Sequence, residues 1–194
     1  DLQLVEGADV HLDLDLLSGI RDGRVPTLAG SRYLLLEPPH HVAPPRFEDS
    51  VFQLMVAGVI PVITHPERLT WIEGHYDVFK RLVKGGAWMQ LTAGSVTGRF
   101  GKRPQYWAER MLDEQLVHIL ATDAHHPRRR PPLLAEGRDA ASRRVGEQEA
   151  THMVCTRPQG IVDNLEPGAL PGLLVQPELT KSAPSFWQRW LGQA

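Results

Sequence analysis

Val62-Ile63-Thr64-His65-Pro66-Glu67-Arg68 and Val117-His118-Ile119-Leu120-Ala121-Thr122-Asp123-Ala124-His125-His126 decide how this chain is read. Each opens as an apolar, β-branched run and ends abruptly in side chains suited to metal binding. A parallel strand covered on both faces reads as an unbroken hydrophobic run. Ligands placed just past the end of such a strand fall where barrels and open α/β sheets build their active sites. Because the arrangement occurs twice, it points to a metallo-enzyme rather than to scattered histidines.

Outward from these segments, strand and helix patterns alternate. Strands are expected at Leu2 to Val5, Arg32 to Glu37, Val59 to Thr64, Trp88 to Leu91 and Val117 to Ala121. Helical spacing of apolar residues marks Phe47 to Ala57, closed by Gly58, and His75 to Lys84, closed by Gly85-Gly86. Pro104 to Gln115 is expected as a helix with its proline in the first turn. Leu133 to Val145 and Glu147 to Cys155 are two more, and Ala93 to Gly98 reads as a glycine-rich loop. This order predicts an α/β fold with a parallel sheet or barrel. The stretch from Pro167 to Pro184 lacks periodicity and is expected as a loosely packed tail, followed by a short apolar segment with Trp187 and Trp190.

The 194 residues suffice for one sizeable core. A net charge of −2 argues against a general binder of nucleic acid or of membrane surfaces. The single cysteine, Cys155, excludes an intrachain disulfide and a cysteine-cage zinc site. No apolar run reaches the roughly 20 residues of a membrane helix, no signal peptide is visible, and the default compartment is the cytoplasm. The chain starts at Asp1 with a strand pattern already under way, which is read as a fragment lacking an N-terminal part.

Asp123 and His125 are two apart at a strand end, where extended backbone projects both to one side. A carboxylate and an imidazole presented together can bind one metal or bridge two. His65 ends another strand, and Pro66 biases it toward extended backbone. Asp9 follows the first strand across Gly7-Ala8. Asp9, His65, Asp123 and His125 are therefore expected on one rim. His11, His40, His41 and His126 are set aside as ligands, with His11 the hardest to dismiss. His75, His118 and His152 are given no site role. Arg68, three residues past His65, suits phosphate, which its planar fork grips bidentately. Arg128-Arg129-Arg130 reads as a solvated loop that can gather an anionic substrate.

Gly7-Ala8-Asp9, Arg32 to Glu37, His65-Pro66-Glu67-Arg68, Ala93 to Gly101 and Thr122-Asp123-Ala124-His125, in this order, resemble the polymerase and histidinol phosphatase (PHP) superfamily. Within it, the chain is similar to the bacterial metal-dependent protein-tyrosine phosphatases of capsule and exopolysaccharide clusters, the CpsB/CapC type. The resemblance implies a distorted β/α barrel with metals, most often manganese and alternatively zinc or iron, at the strand ends. It implies Asp9, His65, Asp123 and His125 as metal ligands and Arg68 as the residue for phosphate binding and leaving-group chemistry. Asp9 stands where the family commonly has a bridging glutamate, one methylene longer. The family's upstream His-x-His pair has no counterpart here, so the expectation is an N-terminally truncated barrel, with residues 1–166 as the phosphatase domain and 167–194 as tail. The implied substrate is a phosphotyrosine protein, specifically a tyrosine kinase of polysaccharide export. Two alternatives stand beside it: a histidinol-phosphatase-like small-molecule phosphoesterase, and an inactive fragment whose surface only binds a partner.

Overall fold

Leu34 and Leu36 face one side of a central sheet, and Tyr33 and Leu35 face the other. This alternation, repeated in every central strand, explains why the strands read as continuous apolar runs. The computed structural model describes residues 3–13 and 15–173. Five parallel strands, β1 (Asp9–His11), β2 (Tyr33–Glu37), β3 (Ile60–Thr64), β4 (Trp88–Thr92) and β5 (Ile119–Ala121), lie side by side in chain order. Among the described residues the sheet is open, with β1 and β5 at its edges. The α/β expectation holds, and this open parallel sheet is compatible with a distorted barrel.

Helices cover both faces. α1 (Leu16–Arg21), α2 (Phe47–Val56), α3 (Ile72–Gly85), α5 (Lys102–Asp113) and α6 (Leu134–Val145) accompany the strands. The larger core packs Leu34, Leu36, Ile63, Met89, Leu91 and Leu120 of the strands against Phe79, Trp107 and Met111 of the helices. On the opposite face, Tyr33, Val62, Trp88 and Ile119 are covered by Ile161, Leu28 and Leu170. No helix among the described residues is long and apolar enough to cross a membrane.

The structure departs from the sequence expectation in four places. Leu4 and Val5 are exposed and outside any strand, and the first strand begins only at Asp9. Helix α3 gains a preceding turn from Ile72, but its backbone breaks at His75 (φ −132, ψ 19), where the sequence places the start of the continuous helix, and Ile72, Tyr76, Phe79 and Leu82 form its buried stripe. The expected loop at Ala93 to Gly98 contains a helical turn, α4 (Ala93–Val96), whose small residues are all buried. The helix expected at Glu147 to Cys155 is α7 (Glu147–Thr151), which runs through a π turn at His152–Thr156 into α8 (Arg157–Val162). Pro158, which has no N–H to donate, falls in the first turn of α8.

That π turn delivers Arg157 into the interior. Its side chain is fully buried and pairs with Glu149 of α7 at 2.7 Å. Its other N–H groups reach the carbonyls of His118 at 3.1 Å, Pro171 at 2.9 Å and Gly172 at 3.0 Å. One guanidinium thus ties the approach to β5, α7 and the start of the expected tail. The rest of that tail, with Trp187 and Trp190, lies outside the described residues. His118 is buried too. Its ring stacks on Trp88 at 4.9 Å, and its Nδ1 accepts the Met89 N–H at 3.1 Å. Burial, then the charge of Arg157, lowers its pKa to about 3.

Two outcomes follow from these buried groups. Arg157→Met leaves Glu149 charged and unpaired in the core, so urea unfolding at pH 7 should show a loss of about 3–5 kcal/mol. The double variant Arg157→Met/Glu149→Leu should recover most of it. A double variant as unstable as the single one would show that the pair is not what holds this region. For His118, the unfolded chain takes up a proton near pH 6.5 and the folded one only near 3. Stability therefore falls as pH drops from about 6.5 to about 3, at up to about 1.4 kcal/mol per pH unit. His118→Asn keeps an acceptor for Met89 but does not titrate, and its stability should fall less steeply over that window.

Candidate metal centre

The pairing register sets the strand ends level. His11 lies opposite Glu37, Leu36 opposite Ile63, Thr64 opposite Gln90, and Thr92 opposite Ala121. Polar residues that follow these positions emerge on one rim. Glu37, the last residue of β2, is central there. Its Oε1 lies 3.3 Å from His65 Nε2 and 3.5 Å from His40 Nε2, and its Oε2 lies 3.5 Å from His11 Nδ1. Asp9 Oδ2 is 3.8 Å from His65 Nε2, while Asp9 Oδ1 accepts the Thr64 hydroxyl at 3.2 Å.

His65 does not follow the expected extended path. Its backbone is left-handed, at φ 34 and ψ 50, so the chain turns sharply into a 3-10 turn, Pro66–Arg68. Asp123 is also left-handed, at φ 50. Such backbone in non-glycine residues is costly and clusters at functional sites. The bend directs His65 inward, where it is buried, and burial followed by the charge of Arg68 lowers its pKa to about 3. A neutral imidazole is the form that binds metal. Asp9 shows the complementary effect: burial and then the charge of Glu37 raise its pKa to about 6. Carboxylates that resist sharing a site, facing neutral imidazole nitrogens, form a donor set suited to a divalent cation. Glu37, His40 and His65 bring one donor atom each within 4.8 Å of one another. His65 Nδ1 is buried without a hydrogen-bond partner among the described residues.

The other half of the rim is basic. Arg68 Nη1 donates to Asp123 Oδ2 at 2.5 Å, and Arg130 Nη2 donates to the same oxygen. His125 approaches Asp123 through a turn rather than through strand alternation. Its Nδ1 lies 2.8 Å from the Asp123 carbonyl and 3.6 Å from Asp123 Oδ1, and its ring is exposed. Glu67 anchors the turn between the two halves: it is fully buried, and its Oε1 accepts the Thr92 N–H at 3.0 Å.

Of the residues selected from sequence, Asp9 and His65 thus meet each other, and Arg68, Asp123 and His125 meet in the adjacent group. Asp9 is the first residue of β1 and not a residue beyond it. His40 and His11, set aside as ligands, both contact Glu37. Glu37 itself was not singled out. Its signal is an acidic residue closing the apolar run Tyr33 to Leu36, the same punctuation that marks His65.

The profile of the family described as capsular polysaccharide synthesis, CpsB/CapC, matches residues 1–163. The chain belongs to the CpsB/CapC family. The putative tyrosine-protein phosphatase CapC of Staphylococcus aureus is 34% identical over 135 residues, which are 70% of this chain and 53% of that protein. The tyrosine-protein phosphatase CpsB of Streptococcus pneumoniae is 28% identical over 84% of this chain and 69% of its own length. The fold is also similar to a solved structure from work on YwqE of Bacillus subtilis and CpsB of S. pneumoniae, described as unique metal-dependent tyrosine phosphatases. The TM-score is 0.81 at 26% identity, covering 85% of this chain and 66% of that one. The chain spans about half the length of the S. aureus CapC that it matches.

Glu37 contacts three imidazoles, whereas His125 is exposed at the edge of the basic half. Glu37→Ala should therefore weaken manganese binding at least about tenfold, measured by calorimetric titration of the folded protein, and more than His125→Ala does. Equal affinity in wild type and Glu37→Ala would remove Glu37 from the donor set.

Proposed function

We propose that this chain carries the catalytic rim of a metal-dependent phosphoric-monoester hydrolase whose substrate is phosphotyrosine in a protein. One observation carries the reading. His65 and Arg68 sit at the two ends of a single 3-10 turn, so a metal-type imidazole and a phosphate-type guanidinium are presented side by side. The names of the CapC and CpsB relatives support the tyrosine-phosphatase assignment.

In this reading Asp9, Glu37, His40 and His65 hold the cation, with Asp123 and His125 completing the set from the β5 end. The mixed carboxylate and imidazole ligands suit manganese, with zinc or iron as alternatives. A bound divalent cation supplies Lewis acidity and lowers the pKa of a water toward about 7. Arg68 and Arg130 grip the phosphoryl oxygens and neutralise the charge that builds on them. Burial of Glu67 keeps the turn that carries Arg68 fixed, so the guanidinium needs little reorganisation during the reaction. The phenolate leaving group takes its proton from solvent. The substrate we infer is the phosphotyrosine segment of a tyrosine kinase of polysaccharide export, in the cytoplasm, and we assign the hydrolase portion to residues 1–166.

With p-nitrophenyl phosphate and a phosphotyrosyl peptide, manganese should support turnover and a chelator should abolish it. Activity that survives exhaustive chelation would falsify the mechanism, and a strong preference for histidinol phosphate would favour a small-molecule phosphoesterase. Arg68→Lys should lower kcat/KM more than about tenfold, because a point charge does not reproduce the bidentate fork. Its metal content should be unchanged, whereas His65→Ala should lose metal and turnover together.

A further inference from the structure

Two guanidinium groups share one small space at the basic half of the rim. Arg68 arrives from the turn after β3 and Arg130 from the loop after β5, and both donate to Oδ2 of Asp123. Two like charges held this close repel each other. Asp123 offsets part of that repulsion, but a single carboxylate oxygen does not fix the planes of two forks. Arg130 Nε is buried and has no hydrogen-bond partner among the described residues. Something besides hydrogen bonding must hold these side chains.

The ring of Phe100 is placed to do so. Its centroid lies 5.5 Å from Arg68 Cζ and 5.4 Å from Arg130 Cζ, within the range where an aromatic face attracts a cation. The ring's own seat is specific. Phe100 donates its N–H to the Gly94 carbonyl at 3.1 Å. A Cβ at Gly94 would stand 2.9 Å from both Cε1 and Cζ of the ring, closer than real Cβ contacts. Glycine at 94 is therefore what lets the ring approach, and any larger residue displaces it. Gly94 and Phe100 also line a small cavity with Arg130, Arg129 and Thr122, beside the end of β5.

The geometry points to Phe100 as a positioning residue that sets Arg68 and Arg130 to receive one oxyanion together, with Gly94 as the gap that admits its ring. This inference rests on the reading of the rim as a phosphoryl-transfer site. Phe100 touches no phosphate itself and acts through the two arginines. Without the ring, each guanidinium regains rotamers that a bound phosphate must then immobilise, and the cost is met in binding.

The test uses the whole chain loaded with manganese, with inorganic phosphate as the probe. Phe100→Leu removes the aromatic face, Gly94→Ala displaces it, and Phe100→Tyr keeps it. The first two should bind phosphate about threefold to thirtyfold more weakly by calorimetry, the factor that corresponds to a cation–π contact of ordinary strength. Their metal content should match wild type, and Phe100→Tyr should restore the affinity. Independently of activity, the Nε–H resonances of Arg68 and Arg130 should be displaced by the ring current in wild type and Phe100→Tyr, and return toward ordinary positions in Phe100→Leu. Ordinary positions in wild type itself would overturn the inference whether or not the variants fold, and so would unchanged phosphate affinity in both Phe100→Leu and Gly94→Ala. If wild type binds phosphate through this pair yet does not hydrolyse phosphotyrosyl peptide, the proposed reaction fails and the role of Phe100 stands.

Discussion

Leu34 and Leu36 of β2 face helices on one side of the sheet while Tyr33 and Leu35 face packed side chains on the other, so the strand has no room for a carboxylate until it ends at Glu37. The same constraint acts on β3, which is buried from Pro61 through Thr64 before the chain releases His65. It acts on β5, whose first polar side chains beyond Leu120 are Thr122 and Asp123. Burial on both faces thus collects titratable groups at one place without any of them needing to attract another. The register of the sheet then levels those ends into a rim. Arg157 serves the same constraint from beneath, since it satisfies the carbonyls of His118, Pro171 and Gly172 and closes the face that Ile161 and Leu170 cover.

What the rim gains from this origin is separation of charge. Asp9, Glu37 and the imidazoles of His40 and His65 occupy one half, and Arg68 and Arg130 on Asp123 occupy the other. In the first half, negative charge is crowded and partly desolvated, which is why the Asp9 carboxyl holds its proton to about pH 6. In the second, positive charge is crowded. Neither half is comfortable alone, and each is poised for a ligand of opposite sign. A phosphoric monoester held near a divalent cation answers both needs at once. The left-handed backbones of His65 and Asp123 belong to the same pattern, because strain at these two residues turns the chain out of its strands and into the rim.

The alternation of strands and helices was legible because it depends on apolar periodicity, which burial enforces along whole elements. The first strand was not, and the reason is physical. Among the described residues, Asp9-Val10-His11 is an edge strand with a single neighbour, so only Val10 need be apolar, while Leu4 and Val5 look like a strand and are exposed. The arrival of His65, Arg68, Asp123 and His125 at the strand ends was legible as abrupt changes from apolar to polar. Glu37 makes the same change, and its partner His40 follows only three residues later, but the two prolines between them hide the pairing, and its other partners, His11 and His65, lie on β1 and just past β3. The basic run that holds Arg130 was legible as a place to gather an anion, but which of its arginines reaches the rim, and the role of Phe100, were not, for a related reason. The significance of Arg130 and Phe100 lies in converging with Arg68, and convergence across the chain leaves no mark in the spacing around each residue. The backbone of His65 was misread because the local bias of Pro66 toward extended backbone is overridden by the tight turn into Pro66–Arg68 and the burial of the imidazole, which hold a costlier left-handed conformation.

The turn from His65 to Arg68 explains why the two halves of the rim are linked so tightly. The Arg68 N–H donates to the His65 carbonyl at 3.0 Å, so the backbone that carries the imidazole and the guanidinium closes into one turn. Between them, Glu67 points the opposite way, into the core, and holds the backbone N–H of Thr92 at the end of β4. Burial raises the pKa of the Glu67 carboxyl above its ordinary value, while the Thr92 N–H bonded to Oε1 offsets part of the cost of burying it. The segment His-Pro-Glu-Arg therefore distributes three tasks over four residues: the proline limits the backbone, the glutamate fastens it to the sheet, and the flanking histidine and arginine face the rim. A turn fastened at its centre keeps both ends in place, which a flexible loop carrying the same two side chains would not do.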